Sequence, residues 1–425
     1  MSRIAIIGTG ISGLVCAHLL HADHNVHLYE ANDYIGGHTH TVTVEHEGKL
    51  LPVDTGFIVC NDRNYPGFLK IMASIGIEPV PTSMSFSVHC NQTGFEYGGA
   101  SVNALLGQRR NIVNPKFHQM VRDIFRFNRE APRVLDDGTD DADPNQMTLG
   151  EYLDANHYSD AFVNRFLIPM GAAIWSAPLG GLRQFPVRFF VRFFHNHGML
   201  QVKGRPQWMT IQGGSQRYVE AITAPFRDSI RLQTPVRSVQ RTSDAAVEVR
   251  TASGEAERYD EVIMASHSDQ ALAMLTADSG GATSAEREIL GALPYQENDT
   301  VLHWDRRLLP QRERCWSSWN YHLLEHEPEE VVVTYNLSML QHLPTSEPLC
   351  VTLNHTDQID PEKILMRFRY AHPTYTPEGI AAQRRWGEIS GRDRIHYCGA
   401  YWGYGFHEDG VRSALRVCEH FGKSL

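Results

Sequence analysis

The sequence has few of the features that mark disulfide-bonded, zinc-binding, membrane-spanning or nucleic-acid-binding proteins. Its seven cysteines are scattered, odd in number and contain no Cys-x-x-Cys pair, so neither a disulfide framework nor a zinc site is expected. No uncharged run of about 18 apolar residues is present, so no membrane-spanning helix is expected. Acidic residues outnumber basic ones by 49 to 39, and the formal net charge of −10 argues against a nucleic-acid partner.

Histidine is the one metal-binding residue type that the chain contains in quantity, with 22 copies. Two close pairs, His38 with His40 and His195 with His197, are only two residues apart and have no matching acids nearby. This spacing is not typical of zinc or iron sites. No metal is therefore expected, and these histidines are interpreted as loop or core residues.

The first 30 residues contain a glycine-rich dinucleotide-binding motif. A short apolar strand from Ile4 ends sharply at Gly8, Gly10 lets a pyrophosphate approach the bare backbone, and Gly13 lets the following helix pack closely. The N-terminus of that helix offers free N–H groups and a positive dipole end to phosphates. Glu30 follows at the spacing at which a carboxylate accepts the hydroxyl protons of an adenosine ribose, and it disfavours a 2′-phosphate.

The residues after Glu30 distinguish FAD from NAD. A second glycine pair, in Gly36-Gly37-His38-Thr39, lies just after the acid, and Val53-Asp-Thr-Gly-Phe57 follows it. A nicotinamide dinucleotide fold normally continues here with another helix and strand. The motif therefore favours FAD. Because no second glycine-rich nucleotide site is found, reductase and monooxygenase functions that use NAD(P)H are disfavoured.

Together with two later segments, residues 4–58 resemble the flavin-dependent amine oxidase superfamily, which includes monoamine oxidases, protoporphyrinogen oxidases and carotenoid desaturases. The second segment, residues 234–239 with 259–265, is similar to the part that lays a backbone edge against the adenine. The third, residues 395–400 with 405–411, is similar to the strand and helix that cap the isoalloxazine. The resemblance implies FAD contacts from Gly8, Gly10, Ile11, Ser12, Gly13, Glu30, Ala31, Gly36, Gly37, His38, Thr39, Thr55, Gly56, Phe57, Ile58, Val236, Ala265, Gly399, Ala400, Gly410 and Val411.

The fold that this resemblance implies is α/β. It combines a Rossmann-like FAD-binding domain of the glutathione-reductase type with an inserted α+β substrate domain, as in amine oxidases. Because the three FAD segments lie far apart, the FAD-binding domain is predicted to comprise residues 1–65, 205–290 and 390–425. The substrate domain is predicted to comprise residues 66–204 and 291–389, with helices in 111–200 and a mainly antiparallel sheet in 300–356.

Several positions depart from the superfamily pattern. His38 stands where many relatives have arginine, and it is a poorer permanent partner for phosphate. Ala400 stands where relatives often have an acid. The strand from Thr300 lacks the lysine that amine oxidases hold against the flavin N5, and no cysteine occupies the position of a covalent flavin link. We therefore expect FAD to be held non-covalently, and amine oxidation is disfavoured.

Five longer strings, which begin at Phe166, Asn196, Trp316, Val351 and Gly399, are similar to one bacterial family of FAD proteins. That family is associated with cyclopropane-fatty-acid-synthase-like methyltransferases, and it resembles the oxidase-like half of plant cyclopropane fatty acid synthases. The resemblance implies a lipid acyl chain as substrate and such a methyltransferase as partner. It also suggests desaturation next to a methyl branch, as in furan fatty acid formation.

The resemblance to the superfamily implies that the turn around residue 407 lies at the flavin. We interpret His407, Glu408 and Tyr401 as candidate catalytic residues, with a proton donor or acceptor at the turn. Helix capping is the alternative interpretation. Asp409 precedes a helix expected to begin near Gly410 and suits its free N–H groups, whereas for His407 both interpretations stay open.

Phenylalanines recur at helical spacing between residues 185 and 194, with Phe189 four residues before Phe193 and Phe190 four before Phe194. An aromatic stripe of this kind lines an acyl tunnel, contacts a membrane surface, or packs in the hydrophobic core. Core packing is the most common of the three outcomes.

The expected reaction is hydride transfer from an acyl-chain carbon to the flavin N5, with loss of a neighbouring proton to a base and formation of a double bond. An amine oxidase, a non-redox FAD-dependent isomerase and an accessory subunit of a lipid methyltransferase are the alternatives. Because the nucleotide motif begins at residue 4, no cleavable signal peptide is expected. We expect a cytoplasmic protein, with any contact to the inner membrane face local and mostly apolar.

Overall fold

The computed structural model describes residues 1–136, 146–176, 179–201, 203–279, 281–324 and 330–425. The strands are β1 (Arg3–Ile7), β2 (Asn25–Tyr29), β3 (Thr41–His46), β4 (Lys49–Asp54), β5 (Cys60–Asn61), β6 (Val80–Pro81), β7 (Phe86–Cys90), β8 (Phe95–Gly98), β9 (Trp208–Thr210), β10 (Ile230–Arg231), β11 (Val236–Arg241), β12 (Val247–Thr251), β13 (Ala256–Tyr259), β14 (Glu261–Met264), β15 (Tyr295–His303), β16 (Trp319–His322), β17 (Val333–Asn336), β18 (Cys350–Leu353), β19 (Ile364–Pro373) and β20 (Ile395–Tyr397). The α-helices are α1 (Ile11–Leu20), α2 (Pro66–Ser74), α3 (Val102–Leu105), α4 (Pro115–Glu130), α5 (Leu149–Ala155), α6 (Asp160–Phe162), α7 (Ile168–Trp175), α8 (Leu179–Arg183), α9 (Val187–Asn196), α10 (Gln216–Thr223), α11 (Ser268–Thr276), α12 (Ser284–Gly291), α13 (Leu337–Leu340), α14 (Pro377–Arg384), α15 (Trp386–Ile389) and α16 (His407–His420).

A five-stranded parallel sheet in the order β10-β2-β1-β14-β20 forms the first core. Both faces of its central strand β1 are buried, as is usual for parallel sheets covered by helices. Ile4 and Ile6 point to the face covered by α1 and α16, whereas Ala5 and Ile7 point to the face covered by α11 and α12. Four of its five strands, β1, β2, β14 and β20, come from the three segments in which the sequence predicts FAD binding.

A seven-stranded sheet in the order β19-β15-β18-β17-β16-β7-β8 forms the second core. Its pairs are antiparallel except for β16 with β7. One face packs against the helices between residues 115 and 196 through apolar side chains such as Tyr321, Val333 and Leu353. The antiparallel sheet predicted for residues 300–356 is therefore present, and it extends to β7, β8 and β19.

The opposite face of the seven-stranded sheet is polar and still buried. Across neighbouring strands, His322 shares a hydrogen bond with Thr334 (2.8 Å), Thr334 with Thr352 (2.7 Å), and Thr352 with His303 (2.7 Å). His89 lies beside His322, with ring centroids 4.2 Å apart. Burial lowers the pKa of His89 and His303 to about 4, so both imidazoles are neutral near pH 7.

The structure corrects one predicted helix start, and the described residues contain neither a membrane-spanning helix nor a group of side chains that could hold a metal ion. The last helix begins at His407, three residues before the start predicted near Gly410, because residues 407–409 already have helical backbone. None of the helices in the described ranges is long and apolar enough to cross a membrane. In those same ranges, no three histidine, cysteine or acidic side chains are grouped as a metal ion requires. The predicted boundaries between the two domains stay a prediction.

Candidate cofactor and substrate site

The helix α1 begins at a turn that depends on glycine. Gly8 has a φ of +104°, and a Cβ there would lie 2.9 Å from the carbonyl oxygen of Ala265. A Cβ on Gly13 would lie 2.1 Å from the carbonyl oxygen of Gly8, so the helix packs this closely only without a side chain. A Cβ on Gly10, in contrast, would meet nothing within 4 Å, and no side chain caps the helix there. The turn therefore leaves open space beside free N–H groups, which suits a phosphate.

Glu30 is buried at the end of β2. Its carboxylate accepts hydrogen bonds from the backbone N–H (3.1 Å) and the hydroxyl of Thr9. The backbone N–H of Thr234 donates to the carbonyl oxygen of Glu30 (2.8 Å), which brings the segment leading to Val236 beside it. The structure thus places Glu30, Ala31 and Val236 together, at the end of the sheet where the sequence predicts the adenosine.

The second glycine pair turns the chain back towards α1. Gly37 has a φ of +58°, and a Cβ there would lie 3.1 Å from the Cα of Gly10. The imidazole of the next residue, His38, lies 5.7 Å from that of His267 and 5.4 Å from that of His372, between ring centroids. Its Nε2 atom is buried and has no hydrogen-bond partner in the described part of the chain. Burial lowers the pKa of His38 to about 4.

The next part of the site is built around His407, in the first turn of α16. Its imidazole stacks on the ring of Phe57, and its Nε2 atom shares hydrogen bonds with the hydroxyls of Thr39 (3.0 Å) and Tyr218 (2.9 Å). Those two hydroxyls also bond each other, at 2.5 Å. Burial lowers the pKa of His407 to about 3. Tyr218 is missing from the sequence-based prediction, because nothing local distinguishes it from an ordinary core tyrosine of α10.

The loop after β4 is held between the FAD-binding segments and the seven-stranded sheet. The hydroxyl of Thr55 shares a hydrogen bond of 2.7 Å with that of Tyr370 on β19. A Cβ on Gly56 would lie 2.1 Å from the carbonyl oxygen of His38, so the two loops touch through bare backbone. Ile58 packs against the apolar cluster that contains β3, β4 and β18. This loop is therefore fixed on both sides.

The helix α16 packs directly on α1. The hydroxyl of Ser12 donates to the carbonyl oxygen of Gly410 (2.9 Å), and Val411 is fully buried between the helices. A Cβ on Gly410 would lie 2.6 Å from the Cγ2 atom of Ile11 and 3.9 Å from the Cβ of Ala400. These contacts bring the first and third predicted FAD segments together.

A mostly buried row of aromatic rings connects the helical layer with this site. The ring of Phe189 lies 4.6 Å from that of Tyr404, and the ring of Phe193 lies 5.1 Å from that of Phe406 and 4.6 Å from that of Trp175, between centroids. We call these five residues, Trp175, Phe189, Phe193, Tyr404 and Phe406, the aromatic wall. The wall ends at the residue that precedes His407. Because all four phenylalanines of α9 are buried, they do not form a foot on a membrane surface.

A family model of flavin-containing amine oxidoreductases matches residues 11–365. The chain belongs to this family. Amine oxidase A of Canis lupus familiaris is 24% identical over 262 residues, which are 57% of this chain, and that of Equus caballus is 25% identical over the same length. The match spans 46% of each of these relatives, so the chain aligns with about half of their length.

Several solved structures match the fold over nearly the whole chain. The CLA-producing fatty acid isomerase from P. acnes has a TM-score of 0.70 and 17% identity, over 99% of this chain and 98% of that one. Cyclohexylamine oxidase from Brevibacterium oxydans IH-35A has a TM-score of 0.69 and 15% identity, over 99% of both chains. The predicted amine-oxidase-like α/β fold is confirmed.

FAD is the cofactor of this family, and the residues of this chain fit it. The open space at Gly10 and the buried, unpartnered Nε2 atom of His38 are suited to a diphosphate. Phe57 and His407 are only half-buried although they lie at the meeting point of several elements, so they keep surface that a ligand contacts. All seven cysteines are buried and free, and a non-covalent FAD is consistent with the comparisons.

Tyr401 lies apart from this site. Its ring packs back on Gly399, where a Cβ would lie 2.2 Å from the Tyr401 ring, and it joins Trp402 in the apolar layer between the parallel sheet and α11 and α12. That layer is on the opposite side of the sheet from α1 and α16. The structure therefore assigns Tyr401 to the core, which replaces the catalytic role predicted for it.

The two acids beside His407 cap helices. The carboxylate oxygens of Glu408 accept hydrogen bonds from the backbone N–H groups of Gly67 (2.9 Å) and Phe68 (2.8 Å), in the first turn of α2. The carboxylate of Asp409 accepts from the backbone N–H of Phe406 (3.1 Å). These contacts support the capping interpretation of Asp409. They also give Glu408 a capping role in place of the proton transfer predicted for it, because both of its oxygens are already engaged.

A further polar cluster supports the loop that carries Phe57. The buried carboxylate of Asp54 accepts from the backbone N–H (2.9 Å) and hydroxyl (2.7 Å) of Ser215 and from the side-chain amide of Gln341 (2.9 Å). Burial raises the pKa of Asp54 to about 6. The cluster joins β4 to α10 and α13. Sequence reasoning missed it because its three members lie far apart in the chain.

Proposed function

We propose that this protein is an FAD-dependent oxidoreductase that desaturates an apolar substrate, with the acyl chain of a phospholipid as the substrate class. The aromatic wall is the observation that carries this proposal, because its two half-buried members, Tyr404 and Phe406, lie beside His407 and are backed by buried aromatic rings that favour apolar chains. The strand β15 supports it: this strand has no lysine, and Leu302 points into the apolar cluster next to β4.

FAD, held at the Gly10 turn and beside His38, would supply the acceptor for a hydride from the substrate, and the proton lost from the neighbouring carbon would pass to solvent as the double bond forms. The protein's own residues hold the groups of the site and fix their orientation. Stacking on Phe57 and two hydroxyl hydrogen bonds fix the ring of His407. Because its pKa is about 3, His407 remains neutral near pH 7 and acts there as a positioning residue. Oxygen, a quinone or a carrier protein then takes up the two electrons.

An anaerobic titration of the purified flavoprotein tests this function. Phospholipids with unsaturated, cyclopropane or methyl-branched chains are added in detergent, and loss of the oxidised flavin absorbance is followed, with polyamines and arylalkylamines added in parallel. Loss of absorbance with one lipid class and none with amines supports the proposal. Loss with amines alone contradicts it.

A matched pair of variants tests the aromatic wall within the same assay. Phe193 belongs to the wall, whereas Phe194 stacks on Phe190 at 4.2 Å and contacts the wall through Phe193, at 6.4 Å between ring centroids. We expect Phe193→Leu to raise the lipid concentration needed for half-maximal loss of absorbance by about tenfold, and Phe194→Leu to leave it near the wild-type value. Equal effects of both variants contradict the role of the wall.

A second candidate is an isomerase that moves a double bond without net oxidation. The solved structure of the CLA-producing fatty acid isomerase, which matches nearly the whole chain, favours it. The two functions differ in electron balance. An isomerase forms product under anaerobic conditions without an electron acceptor and without lasting loss of the oxidised flavin band, whereas a desaturase stops after one turnover.

The resemblance in the five strings leads us to propose a cyclopropane-fatty-acid-synthase-like methyltransferase as partner, at the inner face of the cytoplasmic membrane. Co-purification of the two proteins tests the partnership. If this chain served that enzyme only as an accessory subunit, its effect on methylation would persist in His407→Leu. Loss of the effect in that variant favours an oxidoreductase role.

A further inference from the structure

One exposed surface of the substrate side combines aliphatic and basic side chains. Val102, Ile112 and Val113 are 74%, 48% and 81% exposed, although aliphatic side chains of this size are usually buried. Exposed arginines and a lysine surround them. We call this surface the basic-apolar patch; its members are Val102, Arg109, Arg110, Ile112, Val113, Lys116 and Arg122.

Hydrogen bonds join the parts of this patch. The guanidinium of Arg109 donates to the side-chain oxygen of Asn103 (2.8 Å) and to the carbonyl oxygen of Leu106 (2.9 Å), which ties the 3₁₀ turn Arg109–Val113 to α3. The Nε2 atom of His118 shares a hydrogen bond of 2.6 Å with the carbonyl oxygen of Ile112, which ties the same turn to α4. The patch is therefore one continuous surface.

The charge of the patch is opposite to that of the whole protein. The chain has a net charge of −10, yet Arg109, Arg110, Lys116 and Arg122 form no ion pair with any carboxylate of the described residues. Unpaired basic groups around protruding aliphatic side chains are typical of surfaces that bind anionic lipid, since the cations meet head groups and the aliphatic groups enter the acyl boundary. An acidic protein partner would be recognised by the basic groups alone and would not require the exposed aliphatic side chains.

The patch lies on the outer side of the layer that carries the aromatic wall. Phe117, Met120 and Phe127, on the inner face of α4, belong to the same apolar cluster as Phe189 and Phe193. The helix that presents Lys116 and Arg122 to solvent is thus continuous, through its apolar face, with the packing around the wall. The patch and the aromatic wall thus lie on opposite sides of one helical layer of the substrate side of the protein.

We propose that the basic-apolar patch docks this protein on an anionic lipid bilayer, which presents the acyl chain to the substrate domain. That the acyl chain is the substrate rests on the proposed function, whereas the docking itself depends only on the patch. Val102, Ile112 and Val113 enter the interface, and the basic residues contact phosphate groups.

Vesicle flotation of the intact flavoprotein tests the docking. The probes are phosphatidylcholine vesicles with and without phosphatidylglycerol, at low and high salt. We expect flotation with the anionic vesicles, weaker flotation at high salt, and little with phosphatidylcholine alone. Absence of binding to anionic vesicles at low salt overturns the proposal.

A matched set of variants separates docking through this patch from nonspecific adsorption of any exposed aliphatic side chain to vesicles. Val113→Asn is expected to abolish flotation, whereas Leu50→Asn, at an aliphatic residue 72% exposed in the β3–β4 hairpin, is expected to leave it unchanged. Arg109→Gln and Arg110→Gln are each expected to weaken binding about fivefold. Equal losses in Val113→Asn and Leu50→Asn, or undiminished binding in Val113→Asn, overturn the proposal.

The flavin titration with detergent-dispersed phospholipid keeps the two proposals distinguishable, because it needs no bilayer. Flotation without loss of flavin absorbance supports docking and contradicts the proposed substrate. Loss of absorbance without flotation supports the substrate and overturns docking.

Discussion

The imidazole of His407 lies face to face with the phenyl ring of Phe57, with ring centroids 3.6 Å apart and planes 9° apart. Phe57 belongs to the loop after β4, and His407 belongs to the first turn of α16. The stack thus joins the first and the last of the segments predicted to bind FAD. Because the hydroxyls of Thr39 and Tyr218 hold the Nε2 atom of His407, the imidazole has one orientation.

Replacement of His407 is expected to alter cofactor binding more than proton transfer. His407→Leu removes the acceptor or donor for two buried hydroxyls, so we expect a loss of about 1–3 kcal/mol in stability and a shifted flavin absorption spectrum. His407→Gln keeps a polar group there and is expected to lose less. Because the pKa of His407 is about 3, the pH profile of kcat/KM is expected to show no inflection near 6.5 from this residue. An inflection at that pH that disappears in His407→Gln would contradict this expectation.

Two glycine substitutions separate cofactor contact from packing. We expect Gly10→Ala to fold normally, since its Cβ meets nothing within 4 Å, but to retain less FAD because the methyl group enters the space beside the free N–H groups. We expect Gly13→Ala to fold poorly, since its Cβ would lie 2.1 Å from a backbone oxygen. Circular dichroism and flavin content after purification measure the two effects. Full flavin content in Gly10→Ala would argue against a phosphate at this turn.

Glu408→Ala tests the capping role. The variant leaves the N–H groups of Gly67 and Phe68 without their acceptors, so we expect a loss of about 0.5–2 kcal/mol in stability. The first-order rate of flavin reduction by a saturating substrate is expected to remain within about twofold of wild type. Chemical unfolding and stopped-flow absorbance measure the two quantities. A rate that falls by orders of magnitude while stability is unchanged would restore the proton-transfer role.

Cofactor affinity is expected to fall as pH rises. The pKa of His38 is about 4 when its Nε2 atom has no partner, and a diphosphate next to it raises that pKa because an anion favours the charged imidazole. Between the two pKa values, FAD binding takes up a proton, so affinity weakens with increasing pH by up to about tenfold per pH unit. Burial also lowers the pKa of the neighbouring His267 to about 4 and that of His372 to about 3.

Fluorescence titration of the apoprotein with FAD between pH 5 and 8 measures this dependence. His38→Arg, with a permanent charge, is expected to bind FAD with a flatter pH profile. His195→Gln, at an exposed histidine on α9, serves as the control and is expected to keep the wild-type profile. A wild-type affinity that does not vary with pH would contradict the prediction.

The sequence predicts best where a structural requirement is local. Gly8, Gly13 and Glu30 follow from the geometry of one strand, turn and helix, and in the structure a Cβ at Gly8 or Gly13 would meet backbone atoms. Contacts with residues from distant elements do not follow from the local sequence. Nothing near Glu408 reveals that α2 needs its carboxylate, and nothing near Tyr401 reveals which side of the sheet it packs on.

The buried polar face of the seven-stranded sheet shows the same limit. Polar residues that alternate along a strand usually indicate a face exposed to water. In this protein, Thr334 and Thr352 bond each other and the imidazoles of His322 and His303, so most of these polar groups are paired, whereas both ring nitrogens of the neighbouring His89 have no partner among the described residues. Only the tertiary arrangement reveals that these groups are paired.

The packing of α1 on α16 has a consequence for biosynthesis. Eight of the ten residues of α1 are buried, and the hydroxyl of Ser12 bonds to Gly410, 398 positions later in the chain. At about 5–20 residues per second, the ribosome adds the intervening chain in about 20–80 s. During this time the apolar face of α1 that packs on α16 in the folded protein is not yet covered by α16. The nascent protein therefore depends on a chaperone, or on a temporary partner within the chain, until its last helix emerges.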